Sequence, residues 1–64
     1  MPAPVDLSIV IVNMNAAGLL RACLRSIDAT RGAVTVQTIV VDNGSTDDSL
    51  DVVQREFPHA LLLP

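Results

Sequence analysis

Asp42 stands at the lip of an apolar run, Thr38-Ile39-Val40-Val41, and is followed by Asn43-Gly44 and then Ser45-Thr46-Asp47-Asp48. An ionised carboxylate there accepts hydrogen bonds and donates none. It has two candidate tasks. One is to bond the amides of the turn that follows, as strand-end Asp residues do. The other is to read a donor on a ligand, because parallel α/β sheets bind ligands outside the carboxyl ends of their strands, where helix N-termini present unpaired N–H groups.

Fewer of the remaining polar residues suggest chemistry. Asn13 and Asn15 follow an earlier apolar run, Leu7–Val12, and Asn15 is expected to cap the helix after it with its side-chain oxygen. Ser45 to Asp48 has the hydroxyl-x-x-acid spacing of a capping box, which makes Asp47 and Asp48 first-turn charges that complement the helix dipole. Cys23 is the only cysteine, which excludes an intrachain disulfide, and with His59 alone it makes no zinc site. It is expected to lie buried on a helix. His59, after Pro58, is expected in a solvated connection, and Arg21, Arg25 and Arg31 on exposed surface. Neither a dinucleotide fingerprint nor a phosphate loop occurs.

Composition narrows the class. The chain has 64 residues, half of them hydrophobic, with Phe57 as the only aromatic. The apolar content is mostly Val, Leu, Ile and Ala, which suits buried parallel strands and packed helices. Four Arg, no Lys and seven acids give a net charge of -3, so a basic footprint for nucleic acid or an anionic membrane is missing. The apolar run Leu7–Val12 is far shorter than the ~20 residues a membrane-spanning helix needs. No signal-peptide pattern opens the chain, and a cytoplasmic setting is expected.

The elements that must position these groups follow from periodicity. Residues 1–6, with two prolines, read as a loose leader. Leu7–Val12 is expected to be a strand buried on both sides, and Ala16–Ala29 a helix whose Leu20, Leu24 and Ile27 face a sheet, flanked by Ala16 and Cys23. Gly32 suits the left-handed turn that closes a helix. Val34–Val41 reads as a second strand, Thr46–Phe57 as a helix with Leu50, Val53 and Phe57 inward, and Ala60–Leu63 as the start of a third strand. The order β-α-β-α-β implies an α/β fold with a parallel sheet. Right-handed crossovers then put both helices on one face if the strands run three-two-one, leaving the other face bare. Such an apolar face implies a larger α/β domain or association.

Two motifs in register, Ser8-Ile-Val-Ile-Val-Asn-Met-Asn15 and Ile39-Val-Val-Asp-Asn-Gly-Ser-Thr-Asp47, resemble the opening of family 2 glycosyltransferases of the GT-A fold. The Val-Asp-Asn-Gly-Ser form is similar to rhamnosyltransferase-like members. The resemblance runs from about Leu7 to Phe57. It implies that residues 1–64 are the N-terminal, nucleotide-sugar-binding part of a three-layer-type, Rossmann-like domain that continues beyond Pro64. Such enzymes transfer a sugar with inversion from a UDP- or dTDP-sugar to the hydroxyl of a glycan or other acceptor.

The resemblance also implies roles for residues. Asp42 would accept the N3–H of uracil or thymine, and Val12, Asn13 and Met14 would face base and ribose. Met14 stands where many relatives carry an aromatic. Asn15 would bond ribose if it does not cap the helix. Asn43 replaces a second acid and Gly44 lets the backbone approach a ligand. A general base and a Mg or Mn ion held by an Asp-x-Asp motif would complete the enzyme; that motif is not in this chain, and the 64 residues alone are expected to be inactive. Two other readings stay open: a receiver-like or other nucleotide-binding α/β domain, and a non-catalytic module that forms a homo-oligomer through its bare sheet face.

Overall fold

A computed structural model describes residues 4–64. The elements run β1 (Leu7–Asn13), α1 (Ala17–Thr30), β2 (Val36–Asp42), α2 (Ser49–Glu56) and β3 (Leu61–Leu63). They form one three-stranded parallel sheet in the order β1-β2-β3. The sequence order of α/β elements and the strand order both match expectation, as far as a partial Rossmann-like half extends.

Side-chain alternation sorts the strands into two faces. Thr38, Val40 and Asp42 of β2 point to the helices, and Val40 is completely buried. Around it pack Leu20 and Leu24 from α1, Val52 and Val53 from α2, and Phe57 just after α2, with Ile11 and Leu62 from the flanking strands. Both helices therefore lie on one face, the arrangement that right-handed crossovers impose on this strand order. Arg21 of α1 forks onto both carboxylate oxygens of Glu56 on α2, with Nε 3.1 and 3.0 Å away, and Arg25 adds a contact to the same carboxylate. Partly exposed pairs of this kind contribute little, at most about 1 kcal/mol.

The opposite face carries no helix among the described residues. Val10 and Val12 are 60% and 71% exposed, and Leu61 and Leu63 stand out beside them. The expectation that β1 is buried on both sides does not hold: on the side the helices cover, Ile9 and Ile11 are half-buried and only Asn13 is buried.

Other boundaries and burials also differ from expectation. Cys23 is exposed, because α1 rests on the sheet through Leu20 and Leu24 and its flank is uncovered. On α2 the fully buried set is Ser49, Val52 and Val53, while Leu50 is half-buried. The second helix starts at Ser49, three residues later than its capping-box pattern suggests, for reasons that lie in the site. The expected leader falls partly outside the described residues. Its last residue, Asp6, is already tied down: its N–H donates to the Thr35 carbonyl at 2.9 Å and its carboxylate accepts the Thr35 N–H at 3.0 Å. Gly32 does adopt the left-handed conformation, with φ +60°, just after the end of α1. His59 is half-exposed, with Nε2 3.1 Å from the Asp28 carboxylate.

Candidate functional site

β1 and β2 run in parallel register, with Asn13 paired to Asp42 at their carboxyl ends, and the ladder continues one step through the Asn43 N–H to the Asn13 carbonyl at 2.8 Å. Both side chains point to the helix side of the sheet and are nearly buried, Asn13 at 4% and Asp42 at 6% exposure. Buried polar groups need partners. The Asn13 amide nitrogen donates to Asp42 Oδ1 and to Ser45 Oγ, each at 3.2 Å. Ser45 donates twice to Asp42, from its N–H to Oδ2 at 2.8 Å and from its hydroxyl to Oδ1 at 2.6 Å.

Asp42 thus does bond the turn that follows it, the first of its two candidate tasks. Among the described residues Oδ1 accepts two hydrogen bonds and Oδ2 accepts one, with a weaker contribution to the carboxylate from the Gly44 backbone. A carboxylate oxygen has two lone pairs, so Oδ2 retains one for a further donor. The Ser45 hydroxyl and amide hold the Asp42 carboxyl below its ordinary value of 3.8, and the Asn13 amide and Gly44 backbone add to this against the opposing cost of burial. The group is an anion at neutral pH.

The loop after β1 is joined to the loop after β2 by a second set of bonds. Asn15 adopts φ +50°, in the left-handed region that Asn tolerates better than most residues. Its side-chain oxygen accepts the N–H groups of Thr46 at 2.7 Å and Asp47 at 3.2 Å, and its own N–H donates to Ser45 Oγ at 3.0 Å. In return, Asp47 Oδ2 accepts the N–H of Ala17, the first residue of α1, at 3.2 Å. The other oxygen of Asp47 accepts the N–H and hydroxyl of Ser49, and these bonds hold the Asp47 carboxyl below its ordinary value.

Two expected caps are therefore corrected. Asn15 does not cap its own helix, whose N-cap position is Ala16, and Ser45 does not cap α2, whose N-cap position is Asp48; neither cap residue bonds through its side chain. The Asn15 side chain is captured by a turn about thirty residues away, and the Ser45 hydroxyl by Asp42 three residues before it, with Asn13 and Asn15 donating into it from the other loop. Asp47 is a helix-start charge as expected, and it serves two helices. The importance of Ser45 to Asp42 was the missed feature. Its signal was the Asp-x-x-Ser spacing, which suits a carboxylate folding back onto the amide three residues on.

The remaining candidates lie around this network. Gly44 takes φ +80° in the turn, and Asn43 is exposed beside it. Met14 projects into solvent next to the strand ends. Val12 points to the open sheet face and is not brought together with Asp42. As for a metal, no group of three His, Cys, Asp or Glu side chains that could hold an ion occurs among the described residues. The Asp42 and Asp47 carboxylates are committed largely to N–H and O–H donors. No helix among them is long and apolar enough to cross a membrane.

A parallel β-α-β-α-β unit with a buried, ionised carboxylate at the carboxyl end of its central strand is a Rossmann-like half-domain. The family model for glycosyl transferase family 2 matches residues 8–61, and the chain belongs to that family. No curated protein and no solved structure matches it.

Proposed function

We propose that the chain is the donor-nucleotide-binding portion of an inverting, rhamnosyltransferase-like glycosyltransferase that moves a sugar from a UDP- or dTDP-sugar to the hydroxyl of a glycan or other acceptor. The observation that carries this reading is the remaining lone pair on Asp42 Oδ2, at the carboxyl end of the central strand, the side on which parallel sheets bind ligands. The N3–H of uracil or thymine supplies the donor that this oxygen lacks. Cytosine presents an acceptor at the same position, and two opposed acceptors repel. Met14 packs its thioether against the base, Asn13 forms the strand end beside the ribose, and Asn43 and Gly44 bring backbone close to the ligand.

Transfer also calls for a general base and, in the proposed enzyme, for a divalent cation on the leaving diphosphate. Groups outside the described residues would supply both, as part of a longer chain, and the 64 residues alone do not turn over a nucleotide sugar. A cytoplasmic setting goes with this reading.

Titration of the chain with UDP, dTDP and CDP, followed by amide chemical shifts, tests the proposal. UDP and dTDP bind more tightly than CDP, and Asp42→Ala weakens UDP at least about tenfold, or 1.4 kcal/mol. Equal affinity for UDP and CDP overturns it.

A second reading is favoured by the open sheet face, where Val10, Val12, Ile39, Val41, Leu61 and Leu63 stand together without a charged residue. Apolar patches of this kind mark interaction surfaces. In this reading the chain is a non-catalytic module that associates with itself, and a monomer in sedimentation at high concentration rejects it.

A further inference from the structure

We infer that Asn15 is a positioning residue for base reading by Asp42, acting through Ser45 and the turn that carries it; this rests on the proposed function above.

The logic is one of donors and acceptors. The Ser45 hydroxyl has one proton and two lone pairs. The Asn13 amide nitrogen and the Asn15 N–H both donate into it, at 3.2 and 3.0 Å, which fills both lone pairs. Its proton is then directed at Asp42 Oδ1, 2.6 Å away. With the Asn13 amide also on Oδ1, that oxygen is saturated, and Oδ2 is left as the reading atom. The polarity of the whole relay is set from the β1 side.

Asn15 fixes the distance over which the relay works. Its Oδ1 receives the N–H groups of Thr46 and Asp47, the two residues directly after Ser45, so the turn cannot drift from the end of β1. The Asp47 carboxylate closes the connection from the other side by accepting the Ala17 N–H. Both acceptor positions of the Asn15 oxygen are occupied by these amides, with the Thr46 hydroxyl a further 3.4 Å contact. That leaves it no capacity for a ribose hydroxyl. Its left-handed backbone aims the side chain across the gap instead of onto its own helix.

The test compares UDP with CDP as probes, titrated into the chain and into Asn15→Gly, Asn15→Ser, Asn15→Asp and Asp42→Ala. Glycine keeps the left-handed backbone and removes the oxygen, serine keeps polarity without the reach, and aspartate keeps an acceptor in place. Asn15→Gly and Asn15→Ser lower the preference for UDP over CDP about tenfold, equivalent to 1.4 kcal/mol, and Asn15→Asp retains it. The ratio is the deciding quantity, because a loss of folded protein weakens both nucleotides alike. A preference unchanged in both Asn15→Gly and Asn15→Ser, with Asp42→Ala abolishing it, overturns this inference alone. A preference that survives Asp42→Ala overturns the underlying reading.

Discussion

Asn13 and Asp42 are register partners at the carboxyl ends of adjacent strands, and their side chains meet on the covered side of the sheet, amide nitrogen to carboxylate oxygen at 3.2 Å. Ser45 completes the contact by bonding both. Ser45→Ala removes the hydroxyl that donates to Asp42 and accepts from Asn13 and Asn15. Leaving buried polar groups short of partners costs about 1–3 kcal/mol, to be read from a urea melt. The Asp42 carboxyl also moves back up toward 3.8, its ordinary value, in a carboxyl-detected titration.

Acid sensitivity follows from Asp42 and Asp47 together. Both are held below their ordinary carboxyl values in the folded chain, so between the folded and ordinary values the unfolded chain binds more protons. Their contribution is fully present above the ordinary value and is lost as pH falls through the folded one. Melting temperature is therefore flat near neutrality and drops below about pH 4, the ordinary carboxyl range. Asp42→Asn flattens part of that drop in melts recorded across pH.

The two sheet faces respond oppositely to the same substitution. Val12→Lys, on the open face, changes stability by less than about 0.5 kcal/mol. Val40→Lys puts an unpaired charge where exposure is zero. A chain of this length has about 3–10 kcal/mol of total stability, and Val40→Lys leaves it unfolded by circular dichroism.

Leu24 holds α1 to the sheet and is 2% exposed. Leu24→Ala costs about 2–5 kcal/mol, the range for large-to-small core changes, measured by denaturant unfolding. Cys23→Ala, one residue away on the exposed flank, leaves the midpoint close to that of the parent.

Gly44 has open space where a Cβ would stand, but its φ is +80°. Gly44→Ala therefore costs about 1–2 kcal/mol from backbone conformation alone, which a urea melt measures.

The strands were legible because β-branched runs are a local signal, and the shared helix face followed from crossover handedness once the strand order was given. Asp42 was legible as the end of such a run. The role of Ser45 and Asn15 was not, since each had a plausible local use as a helix cap and the structure gives each a partner from the other loop. Capping competes with any better acceptor or donor that folding brings near, and sequence alone holds no record of which wins. Cys23 escaped for a related reason: its environment depends on how much of α1 the three strands can cover. Leu20 and Leu24, at the centre of the stripe, were insensitive to that question.

The bonds that join the two loops around Asp42 link residues 29 to 32 positions apart, whereas the Ser45 bonds to Asp42 itself span three. A nascent or half-collapsed chain therefore lacks the contacts from the β1 side and keeps at most the local bonds of Ser45 to the Asp42 carboxylate. The complete network forms in the same event that closes the first strand-helix-strand unit, and any ligand that requires the closed form shifts the chain toward it by mass action.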